Sequence, residues 1–190
     1  MIYKNLENTI DSAKVTDTRN VLDHYKHWPV EDIAKDLAGK AFPYHIAIEN
    51  YQHDYNIGTI VRSANAFNTA GVHIIGKRHW NRRGAMATEK YLQLYHHPSV
   101  DDFVAWADAA HQQIIGIDNI PNSMKLSEAP IPKNVVLVFG QEGPGLSEDM
   151  QRHCTQIIAI EQFGSTRSVN VGVAAGIIMY EWVRQNQLAH

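Results

Sequence analysis

Arg62, Glu142, Ser168 and Asn170 are the side chains whose types and settings could do chemistry in this 190-residue chain, and each lies in a segment that also carries glycine. In Asn56 to Phe67, NIGTIVRSANAF, helical spacing puts Ile57, Ile60, Val61 and Ala64 on one apolar stripe with Arg62 beside it. Gly58 lets another backbone come close to the same helix. An arginine presents five donors in a fixed fork, which suits phosphate or carboxylate. An arginine at a helix edge that pairs with a surface acid would read the same way.

The second segment, VVLVFGQEGPGLS from Val135 to Ser147, runs an apolar strand into Gly140, Gly143 and Gly145 and then to a serine suited to start a helix. Such a loop brings backbone N–H and C=O groups against a ligand at the carboxyl end of a sheet, here around the carboxylate of Glu142. A tight glycine turn is the plainer alternative. The spacing is neither Gly-x-Gly-x-x-Gly nor Gly-x-x-x-x-Gly-Lys-Ser/Thr, which disfavours nicotinamide, flavin and phosphate-loop chemistry. In the third segment the polar run EQFGSTR, Glu161 to Arg167, leads into SVNVGVAAGII, Ser168 to Ile178. Ser168 and Asn170 suit a helix start, where free N–H groups and a partial positive charge favour anions. Alone, it reads as a capped, buried C-terminal helix. A fourth segment, Lys77 to Arg83, sets Arg78, Arg82 and Arg83 around Trp80, a mixture that holds phosphates and stacks bases of single-stranded RNA. A solvated surface loop is the competing reading.

These segments need a scaffold. Residues 1 to 43 read as a polar helical arm, with a helix after Pro29 that puts Ile33, Ala34 and Leu37 on one face. From Tyr44 to the C-terminus short strands alternate with amphipathic helices. Strands are expected at 44–49, 72–76, 113–118, 135–139 and 156–160, and helices at 57–69, 100–111, from about Ser147, and from about Val169 to Gln185. That alternation predicts one α/β domain, 44–190, with a mostly parallel sheet flanked by helices. Asn56, Ser99 with Asp102, and Ser147 are expected to cap helices. The loop from Asn119 to Lys133 is long for such a domain, and long loops are often functional.

Composition narrows the setting. A net charge of −3 announces no basic field, yet a local basic patch can still bind nucleic acid. The single cysteine, Cys154, makes no internal disulfide and suggests a reducing compartment. The first residues lack the apolar core of a signal peptide, and no window approaches the roughly 18 apolar residues of a membrane span, so a cytoplasmic protein is expected. The histidines lack the spacing of common metal sites, and no metal is expected.

Taken in order, the three glycine-bearing segments resemble the motifs of the TrmH class of SPOUT RNA methyltransferases, over about Tyr44 to the C-terminus. Asn56, Gly58 and Arg62 match Asn-x-Gly-x-x-x-Arg; Gly140, Glu142, Gly145 and Leu146 match Gly-x-Glu-x-x-Gly-Leu; Ser168, Val169, Asn170 and Val171 match Ser-hydrophobic-Asn-Val. The resemblance implies a SPOUT fold with a C-terminal deep trefoil knot, and S-adenosylmethionine bound near Gly140, Ile160 and Val169 with Asp118 on the adenine side. It implies methyl transfer to a ribose 2′-hydroxyl of tRNA or rRNA by a homodimer. Catalytic roles would fall to Arg62, Asn56, Glu142, Ser168 and Asn170, with Asn56, Ser168 and Asn170 orienting the arginine. RNA contacts would fall to Arg78, Trp80, Arg82, Arg83 and Arg167; Arg167 before Ser168 is reminiscent of a tRNA-acting subgroup. Two departures stand out. Glu161 and Gln162 replace a frequent Pro-Met pair, and Gly172 stands where many relatives carry serine. The second departure keeps a catalytically silent RNA-binding protein of the same fold in view, and the Gly140 loop alone would also fit an enzyme of another nucleotide.

Overall fold

Short runs of Val and Ile buried on both faces are what a parallel sheet covered by helices requires. The computed structural model describes residues 17–188, so the first part of the expected N-terminal arm, 1–16, lies outside the described residues. Seven strands form a sheet: β1 (Phe42–Asn50), β2 (Thr69–Gly76), β3 (Leu94–His97), β4 (Gln113–Ile117), β5 (Met124–Lys125), β6 (Val135–Phe139) and β7 (Gln156–Ala159), in the order β3-β2-β1-β6-β4-β7-β5. Every pairing is parallel. The helices are α1 (Val30–Gly39), α2 (Ile57–Ala66), α3 (Val100–Ala109), α4 (Glu148–His153) and α5 (Val171–Val183). One face of the sheet packs against α2 and α5, around Ile60, Val61, Leu137, Ile178 and Trp182. The other packs against α3 and α4, around Ala47, Val138, Phe103 and Met150. Because all strands are parallel, the loops after β1, β2, β4, β6 and β7 gather at one edge, where α/β proteins place ligands.

The expected mostly parallel sheet flanked by helices is present, with differences of local cause. The pairs β3 and β5 lie at the sheet edges and carry no apolar run (LYHH and MK), so periodicity did not mark them. Helix α2 stops at Ala66, before the predicted 69, because Asn68 turns left-handed at φ 47° and Thr69 already starts β2. Ser99 and Ser147 cap α3 and α4 by accepting from Asp102 N and Met150 N. Asn56 does not cap α2; its side chain is used elsewhere. Helix α5 starts at Val171 and is capped by Asn170 rather than Ser168. At its far end Trp182 stacks on Tyr44, with ring centroids 4.0 Å apart, and donates to Pro132 O at 2.9 Å. The long loop is thereby tied down, with Gln185 and Asn186 binding its backbone at Ala129 and Ile131. Helix α1 buries Ile33 against Tyr25 and Tyr91, a small separate cluster. Cys154 is half-buried, and burial pushes its thiol up to about 12.

Three histidines cross the β1–β2–β3 edge as a hydrogen-bonded row: His45 Nδ1 to His73 Nε2 at 3.0 Å, and His73 Nδ1 to His97 Nε2 at 2.8 Å. Burial pushes His73 down to about 2 and His45 down to about 4, and lowers His97 as well. Histidines kept neutral by the fold but protonated in the unfolded chain lower stability as pH falls below their unfolded value of about 6.5. Stability in urea should therefore drop on going from pH 7 to pH 5, each such histidine contributing up to about 1.4 kcal/mol per pH unit. His73→Gln, which removes one titrating ring, should flatten that slope; an unchanged slope would show that the row is not its source.

Candidate active site

The end of β6 opens a cleft of about 300 Å³ whose walls are the ends of β4, β6 and β7 and the start of α5. Its residues include Ile117, Asp118, Phe139, Gly140, Glu142, Ile160, Gln162, Ser168, Val169 and Asn170. Two carboxylates hold the loop that forms its floor. Asp118 accepts from Leu146 N at 2.8 Å and from Asn119 N at 2.7 Å. Glu49, buried at the end of β1, accepts from Ser147 N at 2.8 Å and Ser147 Oγ at 2.6 Å. Burial raises the Glu49 pKa and the Ser147 bonds oppose it. Asp118 lines the cleft as expected, but its carboxylate is engaged by the loop. A strand of apolar residues closed by an acid was the sequence signal for Glu49, which the motif reading passed over.

The three motif segments meet in one chain of side-chain hydrogen bonds. Asn56 Nδ2 donates to Glu142 Oε2. Asn170 Nδ2 donates to Asn56 Oδ1 at 2.9 Å, and Asn170 Oδ1 accepts from Gly172 N at 2.9 Å and Val173 N at 3.3 Å. The free N–H groups at the start of α5 thus reach the Glu142 carboxylate through two amides, which explains why Asn56 does not cap its own helix. Ser168 is exposed at the cleft, and its carbonyl accepts from Thr166 Oγ1.

Arg62 stands apart from this chain. It is exposed on α2, and among the described residues its side chain makes no hydrogen bond or ion pair, so the expected orientation by Asn56, Ser168 and Asn170 is not seen. Its neighbours one turn back, Gly58 and Thr59, fix its setting. A Cβ on Gly58 would lie 2.8 Å from Ala85 N, the close backbone approach read from the sequence. A Cβ on Gly172 would lie 3.1 Å from Thr59 Cγ2 and 3.1 Å from Asn170 Oδ1, so a side chain at 172 would press on Thr59, which would have to shift by a few tenths of an ångström. Arg62 thus lies one turn along α2 from the points where Gly58 meets the turn at Gly84 and Ala85 and where Thr59 meets the start of α5.

The basic segment forms the neighbouring rim. Asn50 Nδ2 donates to Lys77 O at 2.7 Å and His79 O at 3.1 Å, and Asp54 Oδ2 accepts from Asn81 N at 2.6 Å. Arg78, Arg82 and Arg83 are exposed. Trp80 is half-buried against the core, and the Arg82 guanidinium lies 5.8 Å from its ring centroid. Arg167 is exposed on the far side of the cleft, where its carbonyl accepts from Asn119 Nδ2 at 3.1 Å. Among the described residues no group of three or more His, Cys, Asp or Glu could hold a metal ion, and no helix is long and apolar enough to cross a membrane.

The cleft suits a small ligand held partly by backbone groups. Apolar walls from Ile117, Phe139, Ile160, Val169 and Val171 surround a floor of glycine backbone, and Gly143 has open space where a side chain would stand. Gln162, which lines the cleft, has a buried Oε1 without a hydrogen-bond partner among the described residues, an acceptor still unsatisfied.

Comparison with known proteins follows this geometry. The model of the SpoU rRNA Methylase family matches residues 43–180. The tRNA (guanosine(18)-2′-O)-methyltransferase of Escherichia coli is 28% identical over 147 residues, covering 76% of this chain and 64% of that protein. Among solved structures, the TrmH/SpoU tRNA modifying enzyme of A. aeolicus superposes with a TM-score of 0.73 at 24% identity, covering 84% of this chain and 85% of that one. The SpoU methyltransferase AviRb of Streptomyces viridochromogenes, in complex with AdoMet, gives 0.70 at 24% identity, covering 77% and 58%. At that identity the two structures establish the fold. The chain spans about half the length of the first curated relatives it matches.

Proposed function

Because the chain belongs to the SpoU rRNA methylase family, we propose that it is an S-adenosylmethionine-dependent RNA methyltransferase acting on a ribose 2′-hydroxyl, with tRNA favoured over rRNA. The observation that carries this reading is the bond chain Glu142–Asn56–Asn170, which ties the three motif segments together beside the cleft. Gly140, Ile160 and Val169 would hold the cofactor through backbone groups, with Asp118 fixing the loop that shapes its pocket. When bound, S-adenosylmethionine supplies a methyl group on a positively charged sulfur.

The chain's own residues do the rest. A ribose hydroxyl is a poor nucleophile, so it must be held in line and its developing negative charge stabilised. Arg62, whose donors make no hydrogen bond or ion pair among the described residues, grips the RNA phosphate and stabilises that charge electrostatically. Asn56, Glu142 and Asn170 tie the three motif segments together at the cleft, and Ser168 offers an exposed hydroxyl there. Arg78, Arg82, Arg83 and Arg167 supply phosphate contacts on either side. Trp80 serves mainly to carry Arg82.

The finer parts of the reading have their own support. A homodimer fits the exposed apolar row Val173, Ile177 and Tyr180 on α5, which a second copy of the chain would cover. A knotted C-terminal part fits the contacts between the 119–127 stretch and 161–167, where Asn119 binds Arg167 O and Ser127 binds Glu161. The division into an arm, 1–43, and a catalytic domain, 44–190, is part of the same reading, with α1 packed on the domain through Tyr91 and β1 already begun at Phe42. A cytoplasmic location is consistent with the proposed RNA substrate. The silent-binder alternative rested on Gly172, which borders Thr59 and Asn170, and the transfer assay below decides it.

The test is transfer of labelled methyl from S-adenosylmethionine to total tRNA and rRNA from a strain lacking the gene, followed by nucleoside analysis. The expected product is one 2′-O-methyl nucleoside in tRNA. Label on a base would overturn the ribose assignment, and saturable cofactor binding without any transfer would favour the silent binder.

A further inference from the structure

We propose that His53 and Tyr55 form a stacking platform for an unpaired RNA base next to the nucleotide that is methylated, a subsite that rests on the RNA reading above. Tyr55 is 72% exposed, and His53 lies nearly parallel to it, with ring centroids 5.4 Å apart and planes 10° from each other. A scattered exposed aromatic is ordinary. This pair differs because the backbone that carries it is held from three directions. Gln141 Oε1 accepts from Tyr51 N at 3.2 Å and Gln52 N at 2.6 Å, Asp54 Oδ2 accepts from Asn81 N at 2.6 Å, and Asn56 is bound to both Glu142 and Asn170. The loop is fixed while its aromatic faces are left in water, which is the state of a platform awaiting a flat ligand.

Its neighbours define that ligand. On one side Tyr55 adjoins Asn56, the middle member of the bond chain at the cleft. On the other, the Asp54–Asn81 bond joins the loop to the rim bearing Arg78, Arg82 and Arg83. Phosphate-binding arginines beside an open aromatic face are the two components of single-strand RNA recognition. Trp80, the aromatic within the basic segment itself, is half-buried against the core with the Arg82 guanidinium 5.8 Å from its ring centroid, so it is less open than Tyr55. Stacking needs a π-face and no particular donor pattern, so the platform takes any base that is unpaired.

The test uses two probes of equal charge, an adenylate octamer and an octamer of abasic ribose phosphates, titrated against the full chain. Wild type should bind the adenylate probe about 5- to 100-fold more tightly, the range for stacking a base on an aromatic side chain. Tyr55→Ala should bring the two within about 2-fold, as loss of that single stack requires, while Tyr55→Phe keeps the preference. Calorimetry with S-adenosylhomocysteine, unchanged in both variants, shows that the site is folded. A preference that survives Tyr55→Ala, or one lost equally in Tyr55→Phe, overturns the platform. If wild type binds both probes equally, the platform falls and phosphate binding stands. If it binds neither these probes nor total tRNA, the RNA reading falls and the platform with it.

Discussion

Arg62→Ala is expected to lower methyl transfer about 100- to 1,000-fold, the usual effect of removing one preorganised group that stabilises developing oxyanion charge. Binding of S-adenosylhomocysteine, followed by calorimetry, should stay within about 2-fold, because Arg62 does not line the cleft. The separation follows from placement. Arg62 is exposed on α2, one turn past the points where Gly58 meets Ala85 and Thr59 meets Gly172, and it carries no partner of its own among the described residues. Among the described residues no bond is lost when the side chain is removed, so the loss falls on whatever the arginine holds in the complex. Arg62→Lys should recover little, since one ammonium cannot reproduce a planar fork. Equal losses of transfer and cofactor binding would show instead that Arg62 supports the cleft.

Gly140→Ala should abolish cofactor binding and destabilise the fold by about 3 kcal/mol or more, the upper range for forcing atoms into a packed site. An added Cβ would stand 2.1 Å from Gly145 C and 2.2 Å from Leu146 N, both backbone atoms that cannot turn aside. The paired bonds between Gln141 and Gly145, each 3.0 Å, would have to open, and with them the grips of Asp118 on Leu146 and of Glu49 on Ser147. Gly145 itself sits at φ 75°, where a side chain would be strained, so the loop has no easy alternative path. Gly164→Ala is the matched control: no atom lies within 4 Å of its Cβ position, and stability should change by less than about 0.5 kcal/mol. Thermal or urea unfolding with calorimetry on both variants decides the matter. A Gly140→Ala protein that binds S-adenosylhomocysteine normally would remove the loop from the cofactor site.

Sequence reasoning located the segments that matter and identified their company. The buried strand VVLVF was found residue for residue, and the central strands and the four helices from α2 to α5 were found to within a few residues, because burial on both faces and helical periodicity are local signals. The edge pairs β3 and β5 escaped because two- and four-residue edge strands carry no run of apolar residues. Gly58 was read as a point of close approach, and the turn at Gly84 and Ala85 is what approaches it. Ser168 and Asn170 were both plausible caps; which one caps was decided by where α5 meets α2.

The amino-acid sequence by itself determined the α/β alternation, the three motif segments and the absence of any familiar dinucleotide fingerprint, since each is written in neighbouring residues. Only the tertiary structure decided that Asn56 serves Glu142 and Asn170, 86 and 114 residues away, rather than its own helix. It also decided that Thr59 crowds Gly172, that Trp80 is half-buried against the core, and that Tyr55 stands open on a bonded loop. The physical reason is common to all four. A side chain's partner is set by the strand order that gathers distant loops at one sheet edge, and the strand order is a property of the whole parallel sheet rather than of any stretch of residues.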